Sequence, residues 1–225
     1  MNRQSTQTRK RILRAAAECF SERGFRGTTI REICGKADAN VAAVNYHFGS
    51  KDKLYFETNR FLFQDAGALL LSRTPLCITT AAEWEQELHN WCYSRLAQIT
   101  STEKHHLWRG RMFSRERSEP SSVLPMLLEE FLLPIRDRLM DLLRMALPEG
   151  VDDNTLQLWT VMTLSQCIVF AQRAGPWEPL LFPPHLPREK WLEATARHAT
   201  ESVTCRLTFR SGNLPATAKT TGTGT

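Results

Sequence analysis

The chain has 225 residues, is 42% hydrophobic and 24% charged, and suits one large globular domain or a small domain joined to a larger one. No apolar run is long enough to span a bilayer, and the basic, amphipathic first twenty residues do not read as a secretory signal. The net charge of +5 is uneven: residues 1–53 hold 11 Lys/Arg against 5 Asp/Glu, and the rest 18 against 19, so the first quarter reads either as a surface for a polyanion partner or as an ordinary solvated basic surface.

The first predicted helix covers residues 8–23. Leu13, Ala16, Ala17 and Phe20 form an i, i+3, i+4, i+7 stripe, and Arg9, Lys10, Arg11 and Arg14 crowd the first turns. Gly24 stands where a helix C-terminus favours glycine. Thr29 with Glu32 predicts a capping box at the start of a second helix, whose inner stripe is Ile30, Ile33, Cys34 and Ala37. After a short polar turn, Asn40 is the expected N-cap of a third helix.

That helix, Val41 to Phe48, is too short to be stable alone. At about 100° per residue, Val41, Val44 and Phe48 fall on one side and pack inward. Ala42, Ala43 and Tyr46 fall opposite, flanked by Asn45 and His47. Small residues permit close approach, and the polar ones can hydrogen-bond to base edges, as major-groove entry requires. Gly49 closes the helix. Ser50 caps a fourth with Lys51 in its first turn, an anion site suited to a DNA phosphate. Singly, Tyr46 also reads as a surface tyrosine and His47 as a packing histidine. With the charge and the spacing, the set reads as DNA binding.

The stretch TTIREICGKADANVAAVNYHFGSKDKL resembles the TetR/AcrR family of bacterial transcriptional regulators over about residues 8–56. Thr28, Thr29, Ile33, Ala37, His47, Phe48, Lys51 and Leu54 match the family pattern. Asp38, Ala39, Asn40, Ala42 and Val44 depart from it, and Asn45 stands where a phosphate-contacting tyrosine is usual, with Tyr46 one place later. The resemblance implies an all-α fold. Its expected parts are a helix-turn-helix DNA-binding domain at 1–53, a helical effector-binding and dimerisation domain at 54–210, and a disordered Gly/Thr-rich tail at 211–225. The expected DNA-binding residues are Thr28, Thr29, Asn40, Ala42, Ala43, Asn45, Tyr46, His47 and Lys51. The segments FSRERSEPSSVLPMLLEEFLLPIRDRL and LSQCIVFAQRAG resemble the CecR-like branch.

Beyond the head, the fourth helix is expected to run from Leu54 to about Leu71. Further helices are expected near 81–100, 103–116, 121–146 (kinked at Pro125 and Pro134), 152–174 and 187–208. The middle helices carry Trp91, Arg95, Trp108, Arg109, Met112, Phe113, Phe131, Met162, Gln166 and Phe170, the materials of a pocket for a small hydrophobic or amphipathic effector. A homodimer is expected through Leu156, Trp159, Thr160, Thr163, Cys167 and Phe170 on one helix and Trp191, Thr195, His198 and Ser202 on another. The six cysteines lack a CxxC pair and read as reduced, mostly buried thiols of a cytoplasmic protein. No catalytic, P-loop or dinucleotide motif appears, so no enzyme and no cofactor is expected. His105 and His106 are adjacent and should diverge by about 100° on a helix, so no metal is expected. The sequence thus reads as a ligand-responsive repressor released from a palindromic operator. The competing readings are an all-helical adaptor, or an enzyme without a recognisable motif.

Overall fold

The computed structural model describes residues 3–63, 76–172 and 186–207, and within them the chain is all-α. The helices are α1 (Arg3–Gly27), α2 (Ile30–Ala37), α3 (Val41–Phe48), α4 (Lys51–Phe63), α5 (Ala81–Ile99), α6 (Lys104–Ser118), α7 (Leu124–Leu127), α8 (Leu133–Arg144), α9 (Asp153–Ile168) and α10 (Arg188–Thr204). A π-helical turn, Leu128–Leu132, follows α7, and a 3-10 turn, Val169–Gln172, follows α9. The π turn ends just before Pro134, which has no N–H to offer a preceding carbonyl. The expected course of the fourth helix beyond Phe63 and the expected tail lie outside the described residues. No helix among the described residues is long and apolar enough to cross a membrane.

The chain compacts into two units, each made of two stretches of sequence. The first comprises Met1–Ala66 and Ser101–Leu132, so α4, α6 and α7 belong with the head helices. Ile12, Leu13, Ala16 and Phe20 on α1, Ile33 and Ala37 on α2, and Val44 and Phe48 on α3 are buried together there. Phe20 meets Tyr55 of α4 edge-on at 4.8 Å, and Phe25 lies 5.1 Å from the same ring. The Tyr55 hydroxyl, fully buried, donates to Glu116 Oε1 of α6 at 2.8 Å, and the Ser121 N–H donates to Glu116 Oε2 at 3.0 Å. Burial, with the carboxylate beside it, pushes the Tyr55 phenol far above its usual range.

α1 runs further than the sequence suggested. Gly24 does break it, with φ 73° and ψ 178°, but the chain turns helical again to Gly27. The break leaves carbonyls that the helix does not use. Arg115 of α6 takes them, its Nε donating to Ser21 O at 3.4 Å and its Nη2 to Glu22 O. A Cβ on Gly24 would meet Arg115 Cδ at 3.3 Å, in a φ region that other residues rarely adopt.

The second unit comprises Gly67–Thr100 and Leu133–Thr225. Trp84 and Trp91 on α5 are buried, and their indole N–H groups donate to the carbonyls of Leu142 at 2.8 Å and Ile135 at 3.2 Å on α8. α10 lies along α5, with Leu192, Ala196, Ala199 and Val203 turned inward. Four cysteines, Cys19, Cys34, Cys92 and Cys167, are buried thiols, while Cys77 and Cys205 are exposed.

The dimer face expected on α9 is corrected here. Leu156, Thr160, Thr163 and Cys167 are core residues of this unit. The threonines enter the core because their hydroxyls bond back to carbonyls of their own helix, Thr160 to Leu156 O at 2.8 Å and Thr163 to Trp159 O at 2.9 Å. Trp191 of α10 is also buried, edge-on to Phe170 at 5.0 Å. The side of α9 left open carries Leu158, Val161, Met162 and Ile168, continued by Val169.

Replacing Tyr55 with Phe removes one donor and leaves Glu116 Oε1 buried without it. Tyr55→Phe is expected to cost about 1–3 kcal/mol, read as a lower urea midpoint with an unchanged m-value. A midpoint equal to wild type would show that this bond does not stabilise the unit.

Candidate nucleic-acid interface

The two short head helices are capped at all four ends. Thr29 Oγ1 accepts the Glu32 N–H at 3.3 Å, and Glu32 Oε2 accepts the Thr29 N–H at 2.8 Å, the capping box the sequence predicts. The Thr29 N–H, then its hydroxyl, hold the Glu32 carboxyl below the usual range. α2 ends on Asp38 in the left-handed region, φ 47°, where a side chain other than glycine is uncommon. Arg11 of α1 steadies that corner, donating to the carbonyls of Ala37 and Asp38. Asn40 Oδ1 then accepts the Ala43 N–H at 2.7 Å and starts α3. Gly49, at φ 76°, closes α3, and the Ser50 hydroxyl accepts the Lys53 N–H at 3.1 Å to open α4.

α3 buries Val44 and Phe48 and leaves Ala42, Asn45 and Tyr46 exposed, Tyr46 at 79%. Ala43 and His47 are half-buried beside that face, and Asn40 is exposed at its start. The Tyr46 ring stands edge-on to His47 at 5.1 Å. Val41, expected to pack inward, is 42% exposed, because as first residue of the helix it precedes the turn that reaches the core. Lys51 sits at the N-terminus of α4 with its ammonium 4.6 Å over the Phe25 ring, and burial there lowers its pKa. Arg9 reaches from α1 to Glu57 of α4 and lies 5.3 Å over the Phe48 ring. Lys10, Arg14, Arg31 and Lys53 stand exposed on the same unit.

One residue of the expected contact set is placed elsewhere. Thr28 is fully buried, and its hydroxyl lies 3.1 Å from Cys19 O and 2.8 Å from Gly24 O. It ties off the broken end of α1, with its side chain buried away from the protein surface. Thr29 is exposed but already committed to the capping box.

Two family models divide most of the chain between them. Residues 12–58 match the model described as "Bacterial regulatory proteins, tetR family". Residues 85–201, more than half of the chain, match "HTH-type transcriptional dual regulator CecR, C-terminal domain". The chain belongs to the TetR family of bacterial transcriptional regulators. It is a DNA-binding transcriptional regulator, not an enzyme. The chain is 24% identical to the dual regulator CecR of Shigella flexneri over 211 residues, 89% of this chain and 90% of that one. It is 38% identical to the repressor NicS of Pseudomonas putida over 60 residues, 27% and 28% of the two chains. Among solved structures, an HlyIIR variant with a substituted linker aligns with TM-score 0.60 at 21% identity, over 86% of this chain and 97% of the other. A transcriptional regulator from Rhodococcus aligns with TM-score 0.58 at 19% identity, over 88% and 97%.

The ten residues expected around an effector divide between the two units of this TetR-family protein. In the first, Phe131 stacks on Phe63 at 4.4 Å, Phe113 meets Phe63 edge-on at 5.6 Å, and Met112 is buried. Arg109 lies 4.8 Å over the Phe63 ring and donates to Leu62 O at 3.4 Å, so the protein itself meets its need for a partner. Trp108 carries the Lys104 ammonium 4.9 Å above its ring. In the second unit, Gln166 Oε1 accepts the Ser202 hydroxyl at 2.9 Å, and Trp91 and Phe170 are committed to the contacts described above. Met162 is 59% exposed on the open side of α9 and lines no interior wall of this unit. Arg95 differs from the rest: its Nη2 donates to Gln98, but its Nε is buried with no hydrogen-bond partner among the described residues, and burial pulls its pKa down to about 10.

The Thr28 assignment has a direct check. Thr28→Val is near-isosteric and removes one hydroxyl, so a loss of about 1 kcal/mol is expected, seen in chemical denaturation. The folded variant should bind operator DNA as wild type does. A weaker complex at full folding would return Thr28 to the interface.

Proposed function

We propose that this regulator is a ligand-released repressor that binds a palindromic operator as a homodimer. The observation that carries the reading is the division of α3, with Val44 and Phe48 locked inward while Ala42, Asn45 and Tyr46 stand clear of the protein. Such a face fits the major groove, and Lys51 beside it supplies a positioning contact to phosphate. One head of this size reads few base pairs, so two related heads on two half-sites supply the specificity a genome demands.

The surface proposed to join the two copies is the open side of α9. Leu158, Val161 and Met162 form one continuous apolar turn, and Ile168 with Val169 extends it. An exposed apolar strip of this length on a charged protein is favourable to cover. The inducer is proposed to be small and partly apolar, with an acidic group, because Arg95 holds a buried guanidinium whose Nε no protein group satisfies. Binding would favour a state in which the two recognition helices no longer stand about 34–36 Å apart, as successive major grooves require. A ligand shifts this balance only by its difference in affinity for the two states.

DNA titration at several salt concentrations tests the interface. Lys51→Ala should weaken binding to operator and scrambled DNA alike and reduce the salt slope by about 1. Tyr46→Ala should cost more on operator than on scrambled DNA, on the order of 1–3 kcal/mol for a contact to a base edge. Wild-type affinity in both variants would remove α3 from the interface.

Sedimentation tests the dimer. The wild type should sediment at twice the 25.8 kDa chain mass, and Leu158→Glu as the single chain. Leu158 is 63% exposed, so a charge there leaves the monomer core intact. An unchanged dimer would move the interface elsewhere.

A further inference from the structure

We propose that Glu103, His105 and His106 form a binding site for a divalent transition-metal ion, with zinc the best match, at the start of α6. The three side chains each bring one ligand atom to a place where all lie within 4.8 Å of one another. Glu103 Oε2 is 3.4 Å from His105 Nε2, and the two imidazoles lie 4.2 Å apart between ring centroids. Zinc bonds to imidazole nitrogen and carboxylate oxygen are about 2.0–2.2 Å, so neighbouring ligands around a tetrahedral ion stand roughly 3.3–3.5 Å apart. The Glu103–His105 pair already has that spacing, and the His106 ligand atom lies within 4.8 Å of both.

Helix geometry explains how adjacent histidines can share an ion. Glu103 is the residue before α6, in extended conformation at φ −64° and ψ 138°, and its carboxylate makes no capping bond. His106 stands three residues on. A residue before a helix and the residue three places later approach one another, which is what allows a capping box to form. Here the carboxylate and the imidazoles meet in place of that box. Lys104, between them in sequence, points away onto the Trp108 ring.

Two imidazoles and one carboxylate select for zinc, cobalt or nickel over magnesium or calcium, which take oxygen ligands. Glu103 is exposed and His105 half-buried, so water can complete the shell from their side, while both ring nitrogens of His106 are buried. The positive end of α6 opposes a cation, so the site depends on the charge of Glu103.

The test is zinc binding by the full-length protein, measured by competition with a chromophoric chelator. X-ray absorption of the zinc form identifies the ligands. One ion should bind through nitrogen and oxygen, unaffected by excess magnesium. Glu103→Gln keeps the shape of an exposed side chain and should weaken binding at least tenfold, and His106→Ala by roughly 10–100-fold, the range reached by losing even an outer-shell partner. Glu103→Gln binding zinc as tightly as wild type would overturn the proposal. So would a sulfur-dominated shell, which would place the ion on the cysteines. Both readouts are made without DNA, so failure here is separate from failure of the operator reading.

Discussion

Val44 and Phe48 are the two side chains on which α3 depends. An eight-residue helix closes too few hydrogen bonds to offset the cost of its first turn, so α3 persists only while these two remain buried. Each contributes about 1.5–3 kcal/mol by leaving water. Their burial also orients the helix. With Val44 and Phe48 inward, rotation leaves Ala42, Asn45 and Tyr46 outward, and the outer face can be stripped for contact because it has no structural duty. Arg9 reinforces the same point from α1, spanning Phe48 and Glu57.

The support beneath α3 is wider than three helices. Tyr55 on α4 and Glu116 on α6 form a buried bond, and the neighbouring Arg115 grips the carbonyls where α1 breaks at Gly24. A buried carboxylate is costly unless its oxygens are satisfied, and both are, by Tyr55 and by the Ser121 N–H. Residues 101–132 therefore belong to the unit that carries α3. Events on α6 act within the body that carries α3.

Much of the head was legible because its signals are local. The Thr29–Glu32 box, the Asn40 cap, the glycine after Phe48 and the inward period of Val44 and Phe48 each involve residues within four positions. The burial of Thr28 was not legible for the converse reason: its partners, Cys19 and Gly24, are reached only once the chain has folded back. The stripes of α9 show the limit of periodicity. Both faces of that helix are apolar enough to bury, and threonines that bond to their own backbone made the inner face look more polar than the outer. Arg109 and Arg95 look alike in sequence, yet one lies against an aromatic ring and a carbonyl while the other keeps an unsatisfied Nε. That difference depends on what packs around them, which no local pattern encodes.

The corner between α2 and α3 has no slack. Asp38 fills the left-handed position that ends one helix, Asn40 caps the next, and Arg11 holds the carbonyls of Ala37 and Asp38 from outside. A residue added to this corner would have to fit without breaking the left-handed turn at Asp38, the Asn40 cap or the two Arg11 bonds. The outer face of α3 carries none of these bonds, so substitution there leaves the corner intact, while a change in the corner's length disturbs all of them at once.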